Sequence, residues 1–167
     1  MPDIHIATGY RPGSIGAVAE LHGRHYSASH GFDQVFEAKV ARELGEFLCR
    51  YDPRVDRLWL ALRGDEVLGS IVIDGGERPG TAHLRWFILA PGARGLGLGK
   101  RLMEEAMAFL RSGLFESAYL WTLADLDAAI HLYELHGWET AERIRGTQWG
   151  KTVDEVRMTL RLGGLAP

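Results

Sequence analysis

The stretch Pro91-Gly92-Ala93-Arg94-Gly95-Leu96-Gly97-Leu98-Gly99-Lys100 stands between an apolar run ending at Leu89 and a helical pattern with Leu102, Met103, Ala106, Met107 and Leu110 on one face. A strand, a glycine-rich loop and a helix in that order make an anion site. Glycines at 95, 97 and 99 let the backbone turn tightly and approach a ligand with no Cβ in the way. The N–H groups of the first helical turn lack partners within the helix and point outward under the positive end of its dipole. A pyrophosphate suits that surface; an ordinary tight turn ahead of a helix is the plainer alternative. The glycines 95, 97 and 99 are spaced two and two, which fits the dinucleotide-binding fingerprint poorly, and no repeated βαβ units surround them. A P-loop fails too, because Arg101 follows Gly99-Lys100 where a serine or threonine should bind magnesium.

The rest of the chain supplies a mixed sheet. Ile4-His5-Ile6-Ala7-Thr8 alternates as a half-buried strand and is broken by Arg11-Pro12-Gly13. Ser14 is the expected cap of a helix with Ile15, Val18, Ala19, His22 and Tyr26 at spacings of three and four, ending by His30-Gly31. Asp33 caps a second helix striped by Phe36, Val40, Leu44, Phe47 and Leu48. Leu58 to Leu62 and Val67 to Ile73 flank the turn signal Gly64-Asp65 as an antiparallel hairpin, and Gly75-Gly76 with Pro79-Gly80 mark the next turn. Ala82 to Leu89 is the strand before the glycine loop, and Ser112-Gly113 stops the helix after it. Ala118 to Thr122 is a strand, Asp127 to His136 a short helix closed by Gly137, and Glu139 to Ile144 with Glu155 to Leu162 are the last strands. Residues 163–167 read as a loose tail. The predicted order is β, α, α, β, β, β, α, β, α, β, β.

Composition narrows the function classes. With 167 residues, 46% of them apolar, residues 1–167 suit one domain around one core. A net charge of -3 gives no general positive field for nucleic acid or an anionic membrane. The N-terminus has no signal-peptide pattern, and no apolar run reaches the ~18 residues a membrane helix needs. The single cysteine, Cys49, cannot pair internally, which points to a reducing, cytoplasmic setting, and its place in an apolar helix suggests a small buried residue. His22, His25 and His30 lack partner ligands, so no metal is expected. The tryptophans, Trp59, Trp86 and Trp121 among them, are expected in the core, with a stacking wall for an aromatic substrate as the lesser alternative.

The glycine segment resembles the acetyl-CoA signature of the Gcn5-related N-acetyltransferases (GNAT): an Arg or Gln, two residues, Gly, one residue, then Gly or Ala, matched by Arg94, Gly97 and Gly99. Ala129-Ile130-His131-Leu132-Tyr133-Glu134-Leu135-His136-Gly137-Trp138 resembles the family's second signature, one strand and one helix further on. The likeness covers roughly residues 4–162. The segments His22-Gly23-Arg24-His25-Tyr26, Gly31-Phe32-Asp33 and Phe36-Glu37 are further similar to the acetyltransferase half fused to MarR-type regulators in some proteins, although no regulator half is read in these residues.

The resemblance implies an α+β fold: a mostly antiparallel sheet of six to seven strands with helices on both faces, splayed between the central strands Leu84 to Leu89 and Tyr119 to Thr122. It implies transfer of an acetyl group from acetyl-CoA, without a metal, to a primary amine of a small molecule or protein by direct attack in a ternary complex. The backbone of Phe87, Ile88 and Leu89 would pair with the pantetheine arm, and Gly95, Leu96, Gly97, Leu98, Gly99 and Lys100 would hold the pyrophosphate with help from Arg94. Tyr133 would be the general acid that protonates the departing thiolate.

Two departures stand out. The family often places a Glu base on a central strand; here His83-Leu84-Arg85-Trp86-Phe87 leaves His83 as the candidate base, with Arg85 and Tyr26 as candidate acceptor contacts. Many members carry an Asn seven residues before the tyrosine; here it is Leu126, followed by Asp127, which is expected to cap the helix. The missing Glu motivates the alternative of a catalytically impaired acyl-CoA-binding regulatory module. A homodimer is implied by the resemblance alone.

Overall fold

The computed structural model describes residues 3–163, so the expected tail lies, beyond Gly163, outside the described residues. Seven strands form one sheet: β1 (Ile4–Thr8), β2 (Arg57–Arg63), β3 (Glu66–Arg78), β4 (Thr81–Leu89), β5 (Ser117–Leu123), β6 (Glu139–Gly146) and β7 (Val153–Arg161), in the spatial order β1-β2-β3-β4-β5-β7-β6. Every pair is antiparallel except β4 with β5. Four helices complete the fold, α1 (Ser14–His30), α2 (Gln34–Cys49), α3 (Leu98–Leu110) and α4 (Asp127–Leu135), with a 3-10 turn at Pro91–Ala93. The predicted fold class and element order hold.

Strands β2 and β3 are buried on both sides and largely apolar at successive positions, whereas β4 and β5 alternate buried with half-buried residues. Along β2, Leu58, Leu60 and Leu62 face α1 and α2, where Val18, Phe36, Val40, Leu44 and Phe47 cover them. Trp59 and Ala61 point the other way, into a cluster with Leu98, Leu102, Met103 and Ala106 of α3 and Tyr133 of α4.

The sheet opens at its centre. Strands β4 and β5 pair only at Thr81 with Ser117, Ala82 with Ala118 and His83 with Tyr119, so β4 from Leu84 onward has no ladder partner on that side. A β-bulge sharpens the divergence. The register with β3 steps from Val72–Arg85 to Ser70–Ile88, and within that step Trp86 takes φ 45, left-handed for a bulky residue. The Ser70 hydroxyl, fully buried, donates to the Trp86 carbonyl at 2.7 Å and holds the kink.

Several local expectations fail for identifiable reasons. Gly13, not Ser14, is the N-cap of α1: Gly13 adopts φ 88, and Ser14 is buried at the first helical position with its hydroxyl unpartnered. Asp127 is likewise the first residue of α4, after a Leu126 N-cap, whereas the Asp33 carboxylate does accept from the Val35 N–H at 3.0 Å. Cys49 is exposed, because the Phe36–Phe47 stripe takes the buried face of α2 and two residues further the helix faces away. Gly75-Gly76 is not a turn. It lies within β3, where a Cβ on Gly75 would come within 2.3 Å of the Val55 carbonyl oxygen and 2.8 Å of the Phe115 ring, so close packing demands the glycine. The strand therefore runs on to a two-residue turn at Pro79–Gly80.

Candidate active site

The glycine loop folds as its composition dictates. Gly95 and Gly97 take φ 77 and φ 73, a region that costs side-chain-bearing residues about 1–2 kcal/mol. Gly97 is the N-cap of α3, and the first helical bond runs from the Arg101 N–H to the Gly97 carbonyl at 3.1 Å, leaving the N–H groups of Leu98, Gly99 and Lys100 outside the helix ladder. Gly99 is crowded rather than left-handed: a Cβ there would stand 3.3 Å from Leu89 Cδ1 and 3.7 Å from Phe87 Cζ. Leu98 is buried as a packing anchor, while Leu96 is exposed. Lys100 is largely solvated, 3.9 Å from Glu104.

Beside this loop, the splay between β4 and β5 is a cavity of about 560 Å³ lined by Phe87, Ile88, Leu89, Arg94, Gly99 and the first turn of α4. Helix α1 closes one wall. Arg94 donates to His25 Nδ1 at 3.1 Å, and His30 Nε2 lies 3.0 Å from the Asp125 carboxylate. Burial, then the charges of Arg94 and His30, hold His25 below its ordinary pKa, so its ring stays neutral and accepts from Arg94. The three histidines of α1 are thus dispersed among different partners, with the His22 ring bonded to the Val18 carbonyl, and no group of three or more potential metal ligands occurs among the described residues.

A second cavity of about 340 Å³ lies over the other part of the splay. Its walls come from α1, α2, β4, β5 and the β6–β7 loop, and include Tyr26, Phe36, Glu43, His83, Arg85, Trp121 and Trp149. Tyr26, Phe87, Thr122 and Tyr133 line both cavities, so the two spaces meet at these four residues. Burial raises the Tyr133 hydroxyl well above its ordinary pKa, reinforced by Tyr26, and pushes Tyr26 up to about 12. Both hydroxyls keep their protons at neutral pH.

His83 is half-buried and stacked on Tyr119, with ring centroids 4.2 Å apart. Its Nδ1 lies 3.4 Å from each carboxylate oxygen of Glu77. Burial lowers the His83 pKa against the opposing pull of Glu77, so the ring is neutral at pH 7. The contact with His83 draws the Glu77 carboxyl down to about 2, aided by the Tyr119 hydroxyl, which donates to it at 2.6 Å, and by Arg85. Glu77 is a residue the sequence reading missed. The signal was present in Pro79-Gly80: as a two-residue hairpin turn it sets Arg78 opposite Thr81 and brings Glu77 beside His83.

Arg85 sits differently from expectation. Its guanidinium is shared among Glu43 (2.7 Å), Asp74 (3.2 Å) and Glu77 (3.2 Å) and lies 4.0 Å from the Trp86 ring centre, so an acidic acceptor group would meet a cation already occupied. The tryptophans divide. Trp59, Trp86 and Trp138 are core residues, Trp86 also lining the second cavity, whereas Trp121 and Trp149 line it half-buried.

Comparison with known proteins agrees with this geometry. The sequence model of the acetyltransferase (GNAT) family matches residues 17–138. The chain is 34% identical over 124 residues to YjgM of Escherichia coli, described as an uncharacterised N-acetyltransferase, covering 66% of this chain and 74% of that protein. Its fold matches the crystal structure of an acetyltransferase from Streptococcus agalactiae with a TM-score of 0.73 at 22% identity, over 95% of this chain and 98% of the other. It also matches yncA of Salmonella typhimurium, whose structure holds its cofactor acetyl-CoA, with a TM-score of 0.71 at 16% identity over 98% and 96% of the two chains. At those identities the structures speak for the fold alone, and the family match carries the assignment: this chain belongs to the GNAT acetyltransferases and is an acyltransferase.

Proposed function

We propose that this chain is an N-acetyltransferase that moves an acetyl group from acetyl-CoA to a primary amine of a small molecule or peptide, by direct attack within a ternary complex. The observation that carries the reading is the meeting of two cavities, one at the glycine loop and one at His83, across Tyr26, Phe87, Thr122 and Tyr133.

The residues present fit acetyl-CoA. The N–H groups of Leu98, Gly99 and Lys100 offer donors under a helix dipole to a pyrophosphate, and the loop from Gly95 onward with Arg94 surrounds it. Past His83 the β4 backbone has no partner on the β5 side, which leaves Phe87, Ile88 and Leu89 to receive a strand-like pantetheine arm. Acetyl-CoA supplies an activated acyl carbon for the amine and a sulfur leaving group. Tyr133, its proton retained by burial, donates toward that sulfur. His83 takes the proton of the incoming ammonium. Its Nδ1–H faces Glu77, which fixes the tautomer and leaves Nε2 as the acceptor. Glu77 is too acidic and too fully engaged to be the base itself, and acts by orienting His83. Arg85 holds Glu43, Asp74 and Glu77 in place rather than an acidic acceptor group.

No helix among the described residues is long and apolar enough to cross a membrane. One catalytic domain over residues 1–167, a cytoplasmic setting and a homodimer belong to the same proposal. Kinship with the MarR-fused acetyltransferases rests on His22–Tyr26, Gly31–Asp33 and Phe36-Glu37, which wall the second cavity through Tyr26, Phe32 and Phe36 and the first through Tyr26.

Calorimetric titration with acetyl-CoA, followed by free-thiol release with an amine panel, tests the reading. Saturable binding with turnover of an amine is expected. Binding with no turnover of any amine favours the impaired regulatory module, for which the lack of a carboxylate on β4 speaks. A larger thermal shift with ATP or NAD than with CoA overturns both.

A further inference from the structure

The second cavity is closed to further charge. Four charged side chains line it, Lys39, Glu43, Glu77 and Arg85, and each is already engaged. Lys39 and Arg85 take the two carboxylate oxygens of Glu43, one apiece. Arg85 and the Tyr119 hydroxyl take those of Glu77. Two cations and two anions cancel, so the lining is electrically neutral at pH 7. Each additional ammonium of a polyamine would enter without a free carboxylate, and the carboxylate of an amino acid without a free cation.

What the cavity does offer is ring surface. Tyr26, Phe32 and Phe36 form one wall, with centroids 5.0–5.7 Å apart, and Trp86, Trp121 and Trp149 form the others from β4, β5 and the β6–β7 loop. Trp86 is packed beneath Arg85 and against Phe47, 5.7 Å away. Trp121 and Trp149 differ: both are half-buried and line the cavity, Trp149 packing against the core on the α1–α2 side, and no ring pair involves either among the described residues. The loop that carries Trp149 is tied on both sides. The Gln148 N–H and side-chain amide donate to Glu155, itself buried, at 3.2 and 2.8 Å, and the Lys151 ammonium donates to the His30 carbonyl at 2.7 Å. Trp149 is therefore a standing wall rather than a residue waiting to be ordered.

Resting on the reading of this chain as an N-acetyltransferase, we infer that its acceptor is a monoamine with a flat aromatic body, and that Trp121 and Trp149 select it. A neutral aromatic enclosure favours a planar apolar partner by stacking and burial, and its ring faces tolerate one ammonium before His83 removes the proton. The volume of about 340 Å³ sits at the small end of ligand pockets, suited to a compound of one or two rings.

The test is calorimetric binding of amines to the full-length protein saturated with CoA, with acetyl transfer measured in parallel. Phenylethylamine and tryptamine are expected to bind about tenfold or more tightly than butylamine, spermidine or free lysine. Trp121→Ala and Trp149→Ala should each weaken the aromatic amines by about tenfold, weaken butylamine much less, leave CoA affinity unchanged, and be rescued by Trp→Phe at the same position. Unchanged CoA affinity certifies the fold of each variant. Tighter binding of spermidine, free lysine or a lysine-bearing peptide, or equal weakening of every amine by the tryptophan variants, overturns the inference while turnover of that other amine preserves the transferase reading. Selective binding of aromatic amines with no acetyl transfer upholds the inferred ligand class and overturns the transferase reading instead.

Discussion

The rings of Phe87 and Tyr133 lie 6.2 Å apart at an interplanar angle of 60°, at the line where the cavity beside the glycine loop meets the cavity beside His83. Phe87 comes from the unpaired part of β4 and Tyr133 from α4, so the contact spans the splay that the parallel pairing of β4 and β5 leaves open. Tyr133 is buried, backed by Trp138 at 6.1 Å, and its hydroxyl remains protonated. Replacing it with phenylalanine removes one oxygen and preserves the packing. Tyr133→Phe should lower kcat by about 10²–10⁴-fold, the usual range for a general acid, with acetyl-CoA affinity unchanged by calorimetry. A parallel loss of affinity would make Tyr133 a binding residue and not an acid.

The glycine loop supplies a prediction on binding alone. Gly97→Ala forces a side chain into φ 73 at the N-cap of α3, and Gly99→Ala sets a Cβ 3.3 Å from Leu89 Cδ1. Strain of about 1–2 kcal/mol at the first corresponds to a loss of roughly tenfold in acetyl-CoA affinity if binding needs the loop as it stands. Gly92→Ala is the control: it lies in the 3-10 turn, a Cβ there meets nothing within 4 Å, and affinity should not change.

His83 and Glu77 make opposite demands on a pH profile. Burial lowers the His83 pKa below 6.5 while Glu77 pulls it back up. A reaction needing neutral His83 should therefore be flat at pH 7 and fall only below pH 6.5. Glu77→Gln removes the upward pull, so the acid limb of kcat/KM should move to still lower pH, with a lower plateau because the imidazole is no longer oriented. His83→Ala should abolish that limb. If Glu77→Gln moves the limb upward instead, the orienting role assigned to Glu77 is wrong.

The reach of the sequence can be judged from the same residues. Arg94, Gly97, Gly99 and Tyr133 could be proposed from the sequence because a glycine loop and a helix motif are local, each written within a few consecutive positions. The splay was legible only through resemblance, since no periodicity states where two strands stop pairing. Glu43, Asp74 and Glu77 converge on Arg85 from α2 and from the far end of β3, across sequence separations of 42, 11 and 8 residues, and nothing local announces such a cluster. Glu77 was further hidden by Gly75-Gly76, which has the composition of a turn and is in fact a strand with the Val55 carbonyl and Phe115 pressed against it. Local composition cannot separate a glycine needed for a turn from one needed for close packing.

His22 carries a prediction about acid stability that is independent of catalysis. Its ring is buried between α1 and the aromatic wall, with Nδ1–H donating to the Val18 carbonyl at 2.8 Å and with Tyr26 and Phe36 6.3 and 6.4 Å away. Burial, with a smaller push from His25, lowers its pKa from 6.5 to about 4. The unfolded chain therefore binds a proton at pH 5 that the folded chain refuses. Because the folded value is the lower one, the contribution is full above pH 6.5 and is lost as the pH falls from 6.5 through about 4. The difference places about 3 kcal/mol on the neutral ring, of which roughly 2 kcal/mol should disappear between pH 7 and pH 5. His25 and His83, also lowered, add to the loss in the same direction. His83 does so equally in a variant at position 22, and His25, which exerts only the smaller part of the shift on His22, nearly so, which keeps the comparison clean. Urea unfolding of His22→Gln at pH 7 and pH 5 should show a stability drop smaller than that of the parent by about 2 kcal/mol, even though the variant begins less stable at pH 7. Equal drops in the two proteins would mean that the His22 ring is protonated as readily in the folded chain as in the unfolded one, and that the pocket behind Tyr26 is wet.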